Sequence, residues 1–333
     1  MNEFIKERFS FQVESKKESA PELNISYGID KNFLYGAGVS ISSVILNNPD
    51  INFVFHVFTD YIDDNYLTSF KETTQQLNSS IIIYLIDPNY FIDLPTSQFW
   101  SYATYFRILS FEYLSESISS LLYLDADVVC KGSLKLITDI EFNDEFAAVV
   151  PDNEDTQVAS ATRLNLPNIK GRYFNAGVIY VNLRKWHESS LTPYLLSLLR
   201  GETKFGMLKY LDQDALNIAF NMNNIYLSKD YNQIYTLKNE LRDRCHQGFK
   251  KIITDKTILI HYTGITKPWH SWAIYASTQF FNYARENSPW NKYPLKEART
   301  VAEMQKRYKH QFMLGKYIEG VISLLKYKVS NKK

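Results

Sequence analysis

The sequence predicts an α/β protein: a mixed, mostly parallel sheet with helices on both faces. Short apolar runs of strand length alternate with segments whose apolar residues recur three or four apart. The run Ser80 to Ile86 (SIIIYLI) is apolar on both sides of its pleat, as only a strand buried on both faces requires. Neither an internal repeat nor a long Pro/Gly/Ser linker interrupts the pattern. In order, Leu23 to Gly28 reads as a buried strand, Phe33 to Leu46 as a helix, and Ile51 to Phe58 as a second strand ending at Thr59-Asp60. Asp63 to Leu77 is a polar surface helix, and Ser80 to Ile86 the third strand. Tyr102 to Leu114 continues as a helix, and Ser120 to Leu124 as a further apolar strand. Ligands of such sheets gather at the carboxyl ends of the strands, so the polar residues there are the ones to examine.

Composition narrows the function classes. The 333 residues carry 37 Lys plus Arg against 36 Asp plus Glu, a balance that excludes coating nucleic acid by bulk charge. From Asn291 to Lys333 eleven cations face three acids, a local +8, which leaves −7 for the preceding 290 residues. Aromatic residues reach 15%, which suits a Tyr-rich core and, in smaller part, surfaces that stack on sugar rings. Cys130 and Cys245 are too few for a disulfide framework and lack zinc-site spacing, which points to a reducing compartment. The first 22 residues lack the apolar stretch of an export signal, and no apolar run reaches membrane-spanning length. A cytoplasmic protein is expected, divided into an N-terminal extension (1–22), a catalytic body (23–280) and a basic, aromatic C-terminal region (281–333).

The strongest chemical signal is LLYLDAD, where an apolar strand stops at Asp125 and Asp127. Carboxylates two apart at a strand end lie on one side, so both can face one divalent ion, and such an ion can hold a diphosphate. Two enzyme classes end a strand in this way. One is the metal-dependent nucleotide-sugar transferase. The other is the haloacid-dehalogenase-like phosphatase, with Asp125 as nucleophile, although its nucleophile strand normally comes first and here three strands precede it. Further polar islands follow: YGIDKNF (Gly28, Asp30, Asn32), YATYFR (Arg107), YFNAGVIYVN (Asn175), LDQDALN (Asp212, Gln213 and a second D-x-D with Asp214), and IHYTGITKPW (His261, Gly264, Lys267). Taken singly, each has an ordinary explanation. His261 suits a core, Asn175 and Asp212 suit caps, Lys267 an exposed loop and Arg107 a helical ion pair.

In this order and at these separations, the islands resemble retaining glycosyltransferase family eight, and within it the bacterial lipopolysaccharide core α-glucosyl- and α-galactosyltransferases. The resemblance runs from about Leu23 into the basic tail. It implies a GT-A-type, Rossmann-like nucleotide-sugar-binding domain using UDP-glucose or UDP-galactose. Gly28, Asp30 and Asn32 would line a uridine pocket. Asp125 and Asp127, in the Asp125-Ala126-Asp127 segment, would ligate Mn²⁺ or Mg²⁺ with His261, and Lys267 with the Gly264 amide would neutralise the leaving diphosphate. Arg107, Asn175, Asp212 and Gln213 would hold the donor sugar. Gln213 would lie nearest its reactive face, with Asp212 and Asp152 as possible assistants. The acceptor would be a lipid-linked oligosaccharide of the lipopolysaccharide core, met at the inner face of the inner membrane. There the amphipathic, basic segment Val301 to Lys328 would contact an anionic membrane surface. A non-catalytic sugar-binding or adaptor protein on a dead transferase would require a lost ligand, and none is lost.

Overall fold

The apolar runs build the middle of an eight-stranded mixed sheet. The computed structural model describes residues 4–13, 17–91, 94–95 and 102–331. The large sheet contains β1 (Ile5–Phe11), β2 (Glu22–Ile29), β3 (Asn52–Thr59), β4 (Ser80–Ile86), β5 (Ser120–Leu124), β7 (Ala147–Pro151), β8 (Phe174–Asn182) and β9 (Asn224–Tyr226). A second sheet holds β6 (Val128–Cys130), β10 (Gln233–Thr236) and β11 (Leu259–Thr263). The spatial orders are β1-β4-β3-β2-β5-β8-β7-β9 and β10-β11-β6. Pairs β2–β3, β2–β5, β3–β4 and β7–β9 are parallel, while β1–β4, β5–β8 and β7–β8 are antiparallel.

The predicted strands fall within a residue or two of the observed ones. Strand β1 was not expected. Its Lys6, Glu7 and Arg8 hide the period-two signal, because β1 is an edge strand and charges there keep the edge from pairing further. Residues 1–3, 14–16, 92–93, 96–101 and 332–333 lie outside the described residues.

Helices cover both faces of the large sheet. They are α1 (Leu34–Leu46), α2 (Asp64–Leu77), α3 (Phe106–Ser115), α4 (Lys135–Thr138), α5 (Glu154–Arg163), α6 (Leu183–Glu188), α7 (Leu191–Leu199), α8 (Leu211–Ala219), α9 (Gln279–Glu286), α10 (Val301–Met313) and α11 (Tyr317–Ser330). Side chains alternate across β5: Leu122 and Leu124 join one core with Val39 and Ile41 of α1, Leu121 and Tyr123 the other with Ile108 and Phe111 of α3. Asp63 starts α2 by accepting the Tyr66 N–H at 2.9 Å.

The amphipathic tail divides in two, where one continuous membrane-facing segment was expected. α10 packs on the body, with His310 fully buried. Its Nδ1 lies 2.7 Å from the Tyr275 hydroxyl and its Nε2 3.2 Å from Thr266 Oγ1. After a turn at Gly315 in the left-handed region (φ +72°), α11 leaves Ile318, Val321, Ile322, Leu325 and Val329 exposed along one stripe.

Candidate active site

Beyond Leu124 the chain leaves the large sheet and crosses to the small one through Asp125-Ala126-Asp127. Two backbone bonds hold the crossing. The Asp125 N–H donates to the Gly177 carbonyl on β8 at 2.9 Å, and the Tyr262 N–H on β11 donates to the Asp127 carbonyl at 2.9 Å. The antiparallel β6–β11 register sets His261 opposite Val128, one residue from Asp127. His261 is therefore a mid-strand residue. Its Nε2 lies 3.2 Å from Asp127 Oδ1 and 3.7 Å from Asp125 Oδ2, and the three ligand atoms sit within 4.8 Å of one another.

Hydrogen bonds fix which imidazole nitrogen faces the acids. The Gly177 N–H must donate, so Asn175 Oδ1, 3.0 Å away, accepts. That oxygen also receives Asn232 Nδ2 at 3.0 Å, which turns the Asn232 carbonyl toward His261 Nδ1, again at 3.0 Å. Nδ1 therefore carries the proton, and Nε2 points to Asp125 and Asp127. This is the outer support that orients a ligating histidine. Sequence reasoning missed Asn232, which has no motif of its own. Gly177 completes the cradle: a Cβ there would stand 2.3 Å from His261 Cε1 and 2.8 Å from Asp125 Oδ2. Two carboxylates and an imidazole suit a borderline divalent ion such as Mn²⁺.

Charges around the cradle hold Asp127 ionised. Burial opposes charge on Asp127, but Lys267 and His261 overcome it and keep the carboxyl well below its usual range. Burial likewise opposes charge on His261, and Asp127 then Asp125 outweigh it and raise the imidazole above its ordinary value. Lys267 Nζ pairs with Asp127 Oδ2 and donates to the Tyr262 carbonyl at 3.0 Å. The loop carrying it turns at Gly264, whose φ of +91° few side chains tolerate. The Lys267 N–H donates to His270 Nδ1 at 3.1 Å, and Thr266 is held by His310. The C-terminal region thus braces this loop, which no motif announced.

On the α3 side, buried Arg107 contacts Asp125 Oδ1 through Nη2 and Asp212 Oδ2 through Nε, both at 2.9 Å, and its Nη1 donates to the Ala176 carbonyl. Burial pushes the Asp212 carboxyl up, and Arg107 only partly offsets this. Thr104, also missed, donates to Asp212 Oδ1 at 2.6 Å. Asp212 lies in the first turn of α8 but caps nothing there; its oxygens serve Thr104 and Arg107. Opposite, Gln213 Nε2 donates to Asp152 Oδ2 at 3.0 Å, and Asn175 Nδ2 donates to the same oxygen at 3.2 Å.

These groups line one cavity of about 400 Å³. Its walls include Gly28, Asp30, Arg107, Asp125, Ala126, Asp127, Asp152, Asn175, Asp212, Gln213, His261, Gly264 and Lys267. Asn32 is not in the lining. It is exposed beside the cavity, with its N–H donated to Asp30 Oδ1 at 2.8 Å. Gly28 also differs from expectation in its reason: a Cβ there would meet Phe106 Cβ at 2.9 Å, so its smallness admits α3, not only a ligand.

Residues 24–273 match the model of glycosyl transferase family 8, and residues 275–332 that of the family 8 C-terminal region. The chain belongs to glycosyltransferase family 8. Among its relatives is the lipopolysaccharide 1,2-glucosyltransferase of Escherichia coli K12, 44% identical over 90% of this chain and 88% of that one. The lipopolysaccharide 1,3-galactosyltransferase of Salmonella typhimurium is 36% identical over 94% of this chain and 92% of its own. The crystal structure of the galactosyltransferase LgtC, with donor and acceptor sugar analogues, superposes with TM-score 0.67 at 24% identity, over 80% of this chain and 96% of that one. The fold is therefore the GT-A arrangement, and this family 8 chain is a glycosyltransferase; the phosphatase reading of Asp125 falls with the family assignment.

Proposed function

We propose that this enzyme transfers glucose or galactose from the UDP-sugar to the oligosaccharide of a lipopolysaccharide core, with retention of the α configuration. The observation that carries the reading is the single cavity in which the Asp125–Asp127–His261 cradle faces Arg107, Asp152, Asn175, Asp212 and Gln213. Identity of 44% to a lipopolysaccharide 1,2-glucosyltransferase supports the choice of acceptor class.

Mn²⁺ or Mg²⁺, when held by Asp125, Asp127 and His261, supplies positive charge to the diphosphate. Lys267 Nζ is close enough to Asp127 to share in neutralising the departing UDP, and the Gly264 amide lines the same wall. Asp30 and Gly28 receive the nucleoside at the end of β2. Arg107 stays charged between two acids and orients them toward the sugar. Gln213 faces the reactive side of the hexose. An amide is a poor nucleophile, so front-face attack is favoured: the bond from the anomeric carbon to phosphate breaks, the acceptor oxygen bonds on the same face, and its proton passes to the leaving phosphate oxygen.

Among the described residues no helix is long and apolar enough to cross a membrane. The exposed stripe of α11, flanked by Lys316, Lys326 and Lys328, supports peripheral attachment to an anionic surface, as a lipid-linked acceptor at the inner face of the inner membrane requires. Donor-hydrolysis rates with UDP-glucose and UDP-galactose side by side, together with thermal unfolding in UDP plus Mn²⁺, test the reading. No thermal shift and no hydrolysis of either donor would sink it.

A further inference from the structure

The second D-x-D, Asp212/Asp214, is not a second metal site. Asp214 is completely buried, and partners occupy all four of its lone-pair positions. Oδ1 accepts from Arg163 Nη2 at 2.9 Å and the Tyr173 hydroxyl at 2.6 Å; Oδ2 accepts from Arg163 Nη1 and the Tyr210 N–H, both at 2.8 Å. No position is left for an ion or a sugar carbon.

That saturation has a consequence one residue away. A carboxylate paired with Arg163 only accepts, so Tyr173 must donate to it. Burial and Asp214 push the Tyr173 phenol well above its ordinary value, which keeps the proton in place. The Tyr173 oxygen is then limited to accepting, from the Ser160 side chain and from Gln213 Nε2, the latter 3.2 Å away. On the other side of the amide, Gln213 Oε1 accepts from the Ala176 N–H at 3.0 Å and Asn175 Nδ2 at 3.2 Å. A flipped amide would set oxygen against the Tyr173 oxygen and the Asp152 carboxylate, and its NH₂ against the Ala176 N–H.

We infer that Asp214 and Tyr173 are positioning residues that lock the orientation of the Gln213 amide at the donor-sugar end of the cavity. The inference rests on the proposed role of Gln213 at the reactive face. Its test is a double-mutant cycle on the full chain with Mn²⁺ and the better of the two UDP-hexoses. Tyr173→Phe keeps the ring and the Asp214–Arg163 pair but removes the hydroxyl. It should lower kcat by about tenfold, the worth of one well-placed hydrogen bond, with KM for the donor and affinity for UDP unchanged. In a Gln213→Ala background the same substitution should have no further effect on kcat. An equal loss in both backgrounds would show a merely structural role and overturn the inference. So would a silent Tyr173→Phe beside an impaired Gln213→Ala, which leaves the proposed function standing. Wild-type turnover by Gln213→Ala would instead remove the role of Gln213 and the inference with it. Asp214→Asn, run through the same cycle, repeats the test by a second route if Tyr173→Phe does not yield folded protein. Its loss too should vanish in the Gln213→Ala background, and persistence there overturns the inference.

Discussion

Replacing Gly177 by alanine attacks the metal cradle without removing a ligand. The added Cβ would stand 2.3 Å from His261 Cε1, 2.8 Å from His261 Nδ1 and 2.8 Å from Asp125 Oδ2. Carbon atoms in contact need about 3.5 Å, so the imidazole must retreat by roughly 1.2 Å or β8 must shift by as much. Metal–ligand distances tolerate only about 0.2 Å. The ring is also tethered through Nδ1 to Asn232 and cannot swing away without breaking that 3.0 Å bond. Losing the outer support of a ligand weakens metal binding by about 10–100-fold, and here ring position and support fail together. The expected result is a half-saturating Mn²⁺ concentration raised by at least the upper part of that range, with turnover partly restored by excess Mn²⁺. Donor hydrolysis against Mn²⁺ concentration measures it, and circular dichroism checks the fold. An unchanged half-saturation would refute the assignment of Asp125 and His261 to one ion.

Other expectations follow from the same geometry. Asp125→Ala and Asp127→Ala should each cut turnover by more than about hundredfold while the protein stays folded, and substantial residual activity would exclude them as ligands. Removing residues 316–333 should weaken binding to anionic vesicles and spare UDP-sugar hydrolysis, because α11 contributes an exposed stripe; vesicle binding that survives the deletion would end the membrane role. Cutting from Tyr308 instead removes His310, buried against Thr266 and Tyr275, so that deletion should lower thermal stability and slow hydrolysis as well, which a melting curve and a rate assay report. Acid should destabilise the fold. Burial pushes His56 down to about 3, His270 to about 3 and His310 to about 4. The unfolded chain therefore binds more protons below pH ~6.5, and stability falls as pH drops from there toward ~4. His261, raised instead, acts above that window. A melting temperature that stays constant from pH 6.5 to 4 would contradict this.

Much of the fold was legible because its central strands carry their burial in their own composition. Ser80 to Ile86 is apolar on both sides and lies between β1 and β3, and Leu121 to Leu124 divides its side chains between two cores. The polar islands were legible too, since each follows or opens an apolar run at a strand end or helix start. The family resemblance then joined islands that no local rule connects. What the sequence alone could not determine is how those islands meet. His261 joins Asp125 and Asp127 only because β6 pairs with β11 in a register that sets Val128 against His261, a contact between residues 133 apart in the chain. Asn232 carries no motif, and Thr104 and Tyr173 lie within YATYFR and YFNAGVIYVN without standing out there; they matter because backbone donors at Gly177 and Ala176 and a saturated Asp214 dictate which way neighbouring amides and hydroxyls point. Local pattern is read from neighbours in sequence, where the 2.0 and 3.6 periodicities operate. Hydrogen-bond direction is settled among neighbours in space, so the ends of the sheet were foreseeable and the orientation of the groups gathered there was decided by tertiary packing.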